Sequence, residues 1–426
     1  MKKLLVVCFV ALLLVGCTQN EKDTQVDMTE EVKAMNEQLI GKWAGDIEIP
    51  NGSLPVIVDL QKEGGTLSVP AQNVSNYPFK SVKYDGDQVI VSINLNGSAI
   101  EIKGTLKGEQ IEATFNQNGG NYTLLLKPYE EQPVSYETIT VPVTDGDLTV
   151  ALQKSNKEPS PVVLILAGSG PTDKDGNSAI AGKNNSLKML AEGLADEGVA
   201  TVRYDKRGVG DNLSLLTKEE DVSIDQFVDD AVQVINTLLA DKAYSSVHII
   251  GHSEGSLIGM LAAQKANVDS FVSIAGAGRA IDEILVEQLA GQLTPPLTKE
   301  TTKILTSLKK GELVDHVSPE LQALFRPSVQ PYMISWLKYN PARELEKLNS
   351  RVLIIQGTTD LQVKATDAEA LKTGRKDAEL LYVEGMNHVL KTAPAEREGN
   401  LATYANPTLP LQEDLLPAIQ KFIVND

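Results

Sequence analysis

Residues 247–259 read VHIIGHSEGSLIG, and the rest of the chain can be placed around this stretch. Its first residues are mostly β-branched and favour a strand, while the small and apolar residues at its end favour a buried helix. Between them, GHSEG at residues 251–255 has the form Gly-x-Ser-x-Gly. At a strand-to-helix turn, this pattern holds the backbone of the serine in a strained conformation. Its neighbours must be glycines because the strand and the helix approach each other closely. The serine hydroxyl then lies beside the free N–H groups at the start of the helix. We therefore predict that Ser253 is a nucleophile; an ordinary turn is the alternative if no partners follow.

The composition is that of a globular protein with an excess of acidic side chains. The chain has 426 residues, 42% of them apolar, and a formal net charge of −18. This length predicts two or three domains. Nucleic acids bind to clusters of lysine and arginine, so we expect no nucleic-acid partner.

The first residues have the pattern of an export signal. A basic start, MKK, precedes an apolar run at residues 4–15 that is too short to span a membrane as a mature helix. The sequence LVGC at residues 14–17 resembles the lipobox of bacterial lipoproteins, in which the cysteine is acylated. We predict a signal peptide over residues 1–16, lipidation of Cys17, a flexible tether over 17–38, and an exported protein anchored to the cell membrane. Secretion with an incidental cysteine is the alternative.

Residues 39–128 alternate between apolar and polar positions and are punctuated by turn pairs such as Asp85-Gly86. Regularly spaced short strands of this kind predict a small antiparallel β barrel or sandwich domain. This segment contains no histidine and no cluster of acids or metal ligands. A packing or spacer role is therefore favoured, and a module that binds substrate or cell wall is the alternative.

Residues 135–426 have a different pattern, in which apolar runs alternate with helical segments. Two such runs are PVVLIL at residues 161–166 and VLII at residues 352–355. Strands that alternate with helices predict an α/β domain with a doubly wound, mostly parallel sheet. Residues 279–348 interrupt the alternation with a stretch that is helical in pattern and broken by prolines, which predicts a helical cap inserted over the site. Phe325, Tyr332 and Trp336 fall on one helical face there, either as cap core or as the lining of an acyl pocket.

A serine nucleophile needs a base, and the chain has four histidines from which to choose. His248 lies inside the strand before the pentapeptide, and His252 adjoins the serine in a turn that directs its side chain away from the hydroxyl. His316 lies in the cap stretch. His388 follows a strand end late in the chain, so we predict that it is the base; a surface-loop histidine is the alternative.

The remaining partners follow from strand ends and backbone N–H groups. Asp360 comes directly after the strand at 352–357, so it is the predicted acid, with a plain turn residue as the alternative. The order serine, aspartate, histidine is typical of one large class of hydrolases. An oxyanion hole needs two N–H donors. Glu254 would supply one, and Ser169, in the glycine-rich loop AGSGP at residues 167–171, the other.

Cofactor and metal sites are not predicted. The glycine-rich loop lacks the spacing of a dinucleotide fingerprint, and the chain has no P-loop. His248 and His252 have the spacing of a zinc site but lie on a strand and a turn, without the accompanying glutamate.

These stretches together resemble bacterial exported α/β-hydrolases of the serine esterase type, near the serine-aminopeptidase-like branch. The resemblance rests on AGSGP, RYDKRGVG at 203–210, GHSEG, and GTTDLQV at 357–363 with His388, and it covers the chain from about residue 137. It implies an α/β-hydrolase fold and carboxylesterase activity on small-molecule, short acyl esters, with Ser253, Asp360 and His388 as the triad.

The resemblance also implies structural roles for Asp205 and Arg207, which would tie loops together. Two positions depart from the family pattern: Asn212 stands where a serine is usual, and Ala167 stands where many relatives have histidine. Both departures leave the catalytic groups in place and bear on loop geometry.

Two rival functions remain open at this stage. A serine peptidase could use the same triad if cap carboxylates held a peptide terminus, with Glu283, Glu287 and Asp315 as candidates. A non-catalytic surface-binding lipoprotein is the other. The oligomeric state is left open.

Overall fold

The computed structural model describes residues 35–49, 52–69, 74–95, 98–129, 135–178 and 182–424. The predicted signal peptide, Cys17 and most of the predicted tether lie outside these residues. Within the described ranges, no helix has both the length and the apolar character needed to cross a membrane.

The N-terminal strands form one antiparallel sheet. They are β1 (Gly41–Ile49), β2 (Gly52–Leu60), β3 (Gly65–Val69), β4 (Val74–Pro78), β5 (Ser81–Asp85), β6 (Gln88–Leu95), β7 (Ser98–Lys107), β8 (Gln110–Gln117) and β9 (Gly120–Pro128). Their order across the sheet is β4-β3-β2-β1-β9-β8-β7-β6-β5.

This sheet curls around its own core. Alternate residues from both halves of the sheet share one enclosed cluster, which includes Trp43, Val58, Val91 and Phe115. The Tyr77 hydroxyl on β4 donates to the backbone oxygen of Asn94 on β6 at 2.8 Å, so one edge of the sheet contacts the strand next to the opposite edge. The antiparallel β domain predicted from the period-two pattern is confirmed, as a single curled layer.

The C-terminal strands form a second, mostly parallel sheet. They are β10 (Glu137–Val143), β11 (Gly146–Gln153), β12 (Ser160–Leu166), β13 (Ala200–Arg203), β14 (Tyr244–His252), β15 (Ser270–Ile274), β16 (Arg351–Gly357) and β17 (Glu379–Val383). Their order is β10-β11-β13-β12-β14-β15-β16-β17. β10 pairs antiparallel with β11, and β11 pairs antiparallel with β13. From β13 onward all neighbours are parallel.

Helices cover both faces of this sheet. They are α1 (Ser186–Asp196), α2 (Ile224–Ala240), α3 (Glu254–Lys265), α4 (Ile281–Leu289), α5 (Pro295–Lys309), α6 (Gln322–Phe325), α7 (Gln330–Leu337), α8 (Pro341–Glu346), α9 (Ala365–Gly374), α10 (Arg397–Ala402) and α11 (Leu415–Val424). Along β12, Val163 and Ile165 belong to the core under α1 and α11, while Leu164 belongs to the core under α2 and α3. Burial on both faces explains why β12 is a continuous apolar run. The predicted α/β fold is confirmed.

The chain reverses direction across the sheet at β12, which has β13 on one side and β14 on the other. In doubly wound sheets, ligands bind outside the carboxyl ends of the strands at such a switch point. The turn after β14 and the loop after β12 both lie at this place, and the loops after β16 and β17 lie along the same edge.

Helices α4 to α8 form an insertion between β15 and β16, which we call the cap. Its prolines begin helices and do not break them: Pro295 and Pro341 are the first residues of α5 and α8. A proline is well tolerated there because the first N–H groups of a helix have no partner within it. Phe325 is fully buried in the cap core. Tyr332 and Trp336 pack against both that core and the core under α2 and α3, so they lie where the cap meets the body.

Candidate active site

The turn between β14 and α3 has the backbone that the pentapeptide predicts. Ser253 stands between His252, the last residue of β14, and Glu254, the first residue of α3, with φ 55° and ψ −119°. A positive φ is strained for a residue with a side chain and is common at functional sites. A Cβ added to Gly251 would lie 2.3 Å from the backbone oxygen of Gly255, and one added to Gly255 would lie 2.3 Å from that of Leu166. Only glycines therefore allow this close approach.

His388 and Asp360 meet at the carboxyl ends of adjacent strands. Asp360 follows β16, His388 follows β17, and their Oδ2 and Nδ1 atoms are 2.8 Å apart. The other carboxylate oxygen of Asp360 accepts the N–H groups of Gln362 at 2.7 Å and Val363 at 3.0 Å. Burial acts to raise the pKa of Asp360, but His388 and the N–H donors outweigh it and hold that pKa below its ordinary value. An ionised carboxylate only accepts, so His388 donates from Nδ1 and its Nε2 is left to accept a proton.

Ser253 Oγ makes no hydrogen bond to any residue in the described ranges. Catalytic hydrogen bonds of this kind are often long without substrate and shorten when it binds. The serine turn and the His388 loop are nevertheless joined, because His252 Nε2 lies 2.8 Å from the backbone oxygen of His388. Their ring centroids are 4.9 Å apart. The carbonyl can only accept, so His252 carries its proton on Nε2.

His252 therefore supports the predicted base. Burial first, and then the neighbouring His388, lower the pKa of His252 to about 4, so this imidazole is neutral near pH 7. From the sequence, its side chain was expected to point away from the serine hydroxyl, with no partner predicted. Its contact with the His388 loop was missed, because those residues are 136 positions apart in the chain.

The remaining histidines lie elsewhere. His248 is buried on β14 between the hydroxyls of Ser246, at 2.8 Å, and Ser270, at 2.7 Å. His316 is exposed on the cap. Over the described part of the chain, no group of three or more His, Cys, Asp or Glu residues is arranged to hold a metal ion.

The loop after β12 approaches the serine closely. A Cβ added to Gly168 would lie 3.2 Å from Ser253 Cβ. The next residue, Ser169, is exposed, and its backbone oxygen accepts the Thr172 hydroxyl at 2.8 Å. Glu254, as the first residue of α3, has an N–H with no acceptor inside the helix. Glu254 thus directly follows Ser253, and Ser169 adjoins the glycine that approaches it.

A buried lysine that the sequence analysis did not single out links these two donors. Lys206 Nζ donates to the backbone oxygen of Gly168 at 2.7 Å and to the Glu254 carboxylate at 3.1 Å. The other carboxylate oxygen of Glu254 accepts the hydroxyl of Tyr332 from the cap. The only sequence signal was the position of Lys206 inside the RYDKRGVG stretch.

The rest of that stretch ties loops together, as the resemblance implied. Arg207 makes two hydrogen bonds to the buried carboxylate of Asp230, at 2.7 and 2.9 Å, and one to the backbone oxygen of Thr144 at 3.2 Å. The carboxylate of Asp205 accepts the N–H of Lys174 at 2.7 Å and the N–H of Asp211 at 2.9 Å.

Asn212, which replaces the usual serine, is fully buried and holds the same loop. Its Nδ2 donates to the backbone oxygens of Asp205 at 2.6 Å and Thr149 at 3.0 Å. Its Oδ1 accepts the Thr149 N–H at 2.7 Å. The longer side chain thus bridges the loop to β11, and this departure keeps the loop in place.

Comparison with known proteins agrees with this architecture. Residues 181–393, half of the 426-residue chain, match the family described as Hydrolase_4, serine aminopeptidase, S33. Esterase EstD from Thermotoga maritima is 30% identical in an alignment of 279 positions that covers 62% of this chain and 64% of that protein. The chain thus spans 64% of the length of this curated relative.

Two solved structures are also similar. Est1E from Butyrivibrio proteoclasticus, with ferulic acid bound, is 18% identical over 67% of this chain and 98% of that one, with a TM-score of 0.45. The esterase domain of a Rhodothermus marinus protein is 17% identical over 67% of this chain and 98% of that one, with a TM-score of 0.41. On the family match, the chain belongs to the serine aminopeptidase S33 family of α/β hydrolases.

Proposed function

We propose that the protein is a serine carboxylesterase that hydrolyses short-chain acyl esters through an acyl-enzyme on Ser253. The observation that carries this proposal is the hydrogen-bonded pair of His388 and Asp360, which reaches the strained Ser253 turn through His252. A serine hydroxyl is a weak nucleophile at neutral pH, and an oriented base activates it.

In the first step, His388 Nε2 takes the Ser253 proton as Oγ attacks the ester carbonyl. Asp360 holds the Nδ1–H at 2.8 Å and stabilises the imidazolium that forms. The carbonyl oxygen becomes an oxyanion and accepts the N–H groups of Glu254 and Ser169, each worth roughly 10²–10³ in rate.

In the second step, the tetrahedral intermediate collapses. The C–O bond to the alcohol breaks, and His388 returns its proton to the leaving oxygen. Water then attacks the acyl-enzyme with His388 again as base, and the carboxylic acid leaves while Ser253 recovers its proton. Both halves use the same oxyanion donors.

The name of the curated relative favours esters as the substrates. EstD is an esterase by name, and its 30% identity extends over 62% of this chain. Short acyl chains are what the resemblance to serine esterases implies.

The family description also names an aminopeptidase, which keeps a peptidase as the second candidate. Such an enzyme needs a carboxylate free to bind a substrate amine. Glu287 is paired with Arg279 at 2.7 Å and also with Lys364. Glu283 and Asp315 are exposed. The candidate anchors are therefore either neutralised or in open solvent, where an ion pair contributes little.

The test is hydrolysis of p-nitrophenyl esters from acetate to laurate, beside aminoacyl p-nitroanilides, by the purified protein and by Ser253→Ala. We expect turnover of the short esters, with Ser253→Ala reduced to background. A matched control is Ser256→Ala, which removes a buried hydroxyl of α3 that is bonded to Ser273 at 2.7 Å. This variant should retain activity.

The other outcomes identify the rivals. Turnover of nitroanilides alone would replace the esterase by the peptidase. Labelling of Ser253 by a fluorophosphonate without turnover of either substrate would point to a different acyl donor. A protein inert to both substrates and probe would be the non-catalytic binding lipoprotein.

We also propose export and lipid anchoring through Cys17. The support is the basic start, the apolar run and the LVGC stretch in the sequence. Cells fed labelled palmitate should incorporate it into the protein, and Cys17→Ala should abolish the label. Unchanged labelling in that variant would refute the assignment.

A further inference from the structure

Lys206 is a buried cation whose contacts all lie around the serine turn. Its side chain is 6% exposed and that of Glu254 is 0% exposed. Besides the Gly168 oxygen and the Glu254 carboxylate, its ammonium lies 4.9 Å from the ring centroid of Phe227. A buried ion pair is expensive to desolvate and is weak evidence for stability. The ion pair of Lys206 and Glu254 is therefore better explained by the groups that it holds in place.

The contact with Gly168 orients one oxyanion donor. The Gly168 oxygen and the Ser169 N–H belong to the same peptide unit, and in a trans peptide they point in opposite directions. Lys206 holds the oxygen on one side at 2.7 Å, so the N–H must face the other way. The positive charge on the oxygen side also polarises the amide, which strengthens the hydrogen bond that its N–H donates.

The contact with Glu254 ties the Gly168 loop to the residue that supplies the other donor. The Glu254 side chain accepts from Lys206 at 3.1 Å, and its backbone N–H is the donor beside Ser253. We propose that Lys206 is a positioning residue that orients the Ser169 donor and ties its loop to Glu254, and that Tyr332 couples this arrangement to the cap. No other contact in the described part of the chain joins the Gly168 oxygen to the Glu254 side chain.

Tyr332 extends the linkage from the core to the cap. Burial, followed by the neighbouring Glu254 carboxylate, raises the pKa of Tyr332 well above its ordinary value, so its hydroxyl stays protonated and donates. Tyr332 lies on α7 and packs against Trp336 and Phe227, with ring centroids 5.6 and 6.4 Å away. A displacement of α7 would therefore pull on the side chain of an oxyanion residue. The Tyr332 hydrogen bond thereby links the cap to the oxyanion hole.

The inference rests on the serine-nucleophile chemistry proposed above, so its test uses a readout that does not depend on the natural substrate. The rate of phosphonylation of Ser253 by a fluorophosphonate is measured together with kcat and KM for p-nitrophenyl acetate. A wild-type protein that is labelled but hydrolyses no ester would overturn the esterase proposal alone, and the labelling rates would still decide this one.

The variant is Lys206→Met, which keeps the apolar stem and removes the ammonium. Because it strands a buried carboxylate, the double variant Lys206→Met/Glu254→Gln is made beside it to leave no unpaired charge. We expect labelling and kcat to fall roughly 10²-fold in both variants, as for loss of one oxyanion donor. KM should change less than about threefold, and affinity for an aryl trifluoromethyl ketone should weaken in proportion to kcat, because the adduct oxygen occupies the hole. A folded double variant with labelling within about threefold of wild type would overturn the proposal.

The cap linkage has a matched control in the same region. Tyr339, just after α7, donates its hydroxyl to the carboxylate of Asp225, which lies on α2 and not in the oxyanion hole. Tyr332→Phe should slow labelling about tenfold, the effect of one hydrogen bond to a charged group, and Tyr339→Phe should not slow it. Equal rates in the two variants would remove Tyr332 from the proposal.

Discussion

Replacing Asp360 by asparagine tests whether this carboxylate sets the proton position on His388. The asparagine oxygen would take over the N–H bonds from Gln362 and Val363, now 2.7 and 3.0 Å long. Its amide NH₂ would then face His388 Nδ1, where a carboxylate oxygen now lies at 2.8 Å. Because the amide donates, Nδ1 must accept, and the ring proton moves to Nε2. His388 then cannot take the proton from Ser253.

The size of the effect follows from the cost of the alternative arrangement. The productive tautomer returns only if the amide flips, which leaves two backbone N–H groups facing an NH₂. An N–H without a partner costs about 1–3 kcal/mol where it is buried and less for the exposed Gln362 N–H, so the flip costs about 2–4 kcal/mol. That corresponds to a loss of roughly 30-fold to 10³-fold in kcat/KM. The assay is hydrolysis of p-nitrophenyl acetate, with the folded fraction checked by circular dichroism.

Asp367→Asn is the matched control. The Asp367 carboxylate is also fully buried and accepts the N–H groups of Gly278 at 3.1 Å and Arg279 at 3.2 Å, but its charge partner is Arg279. This variant should lose stability and keep kcat/KM within about threefold. A folded Asp360→Asn variant that loses less than tenfold would refute the reasoning, since the orientation of the amide would then not govern the tautomer.

Three further predictions follow from buried groups. Folding lowers the pKa of His252 from 6.5 to about 4, so the unfolded chain binds a proton at a higher pH than the folded chain does. The free energy of unfolding therefore falls, by about 3 kcal/mol in total, as the pH drops from 6.5 toward 4. His252→Gln should flatten that slope in urea denaturation, and an unchanged slope would assign it to other groups. Arg207→Met strands the buried Asp230 carboxylate and should cost about 3–5 kcal/mol, much of which Arg207→Met/Asp230→Leu should recover; no recovery would contradict the ion-pair explanation. Gly255→Ala would place Cβ 2.3 Å from the Leu166 oxygen, so Ser253 should lose fluorophosphonate labelling even where soluble protein remains. Normal labelling would show that the turn tolerates a side chain.

Much of the architecture could be predicted from the sequence alone, for physical reasons that particular stretches show. A strand buried on both faces must be apolar throughout, and this pattern identifies β12 and β16. In a sheet with one enclosed face, apolar and polar residues alternate along each strand, and this pattern identifies β6 and β7. A strained serine turn demands glycines at fixed positions, which marks residues 251–255. These signals are local, so they can be recognised in the sequence alone.

The prolines of the cap show where a local reading needs correction. In the sequence they read as interruptions of helices. In the structure Pro295 and Pro341 begin α5 and α8, because a proline is accepted in a first turn and excluded from a helix interior.

The chain by itself therefore determined the two kinds of sheet, the strained serine and the strand ends after which Asp360 and His388 stand. Only the tertiary structure decided what supports them. His252 meets the His388 backbone across 136 positions, and Lys206 reaches Gly168 and Glu254 across 38 and 48. Neither residue has a pattern that distinguishes it from a buried histidine or a surface lysine. Their roles come from the parallel sheet, which brings the ends of distant strands to one edge and excludes water there. A single ammonium or imidazole N–H at that edge therefore has one fixed set of acceptors.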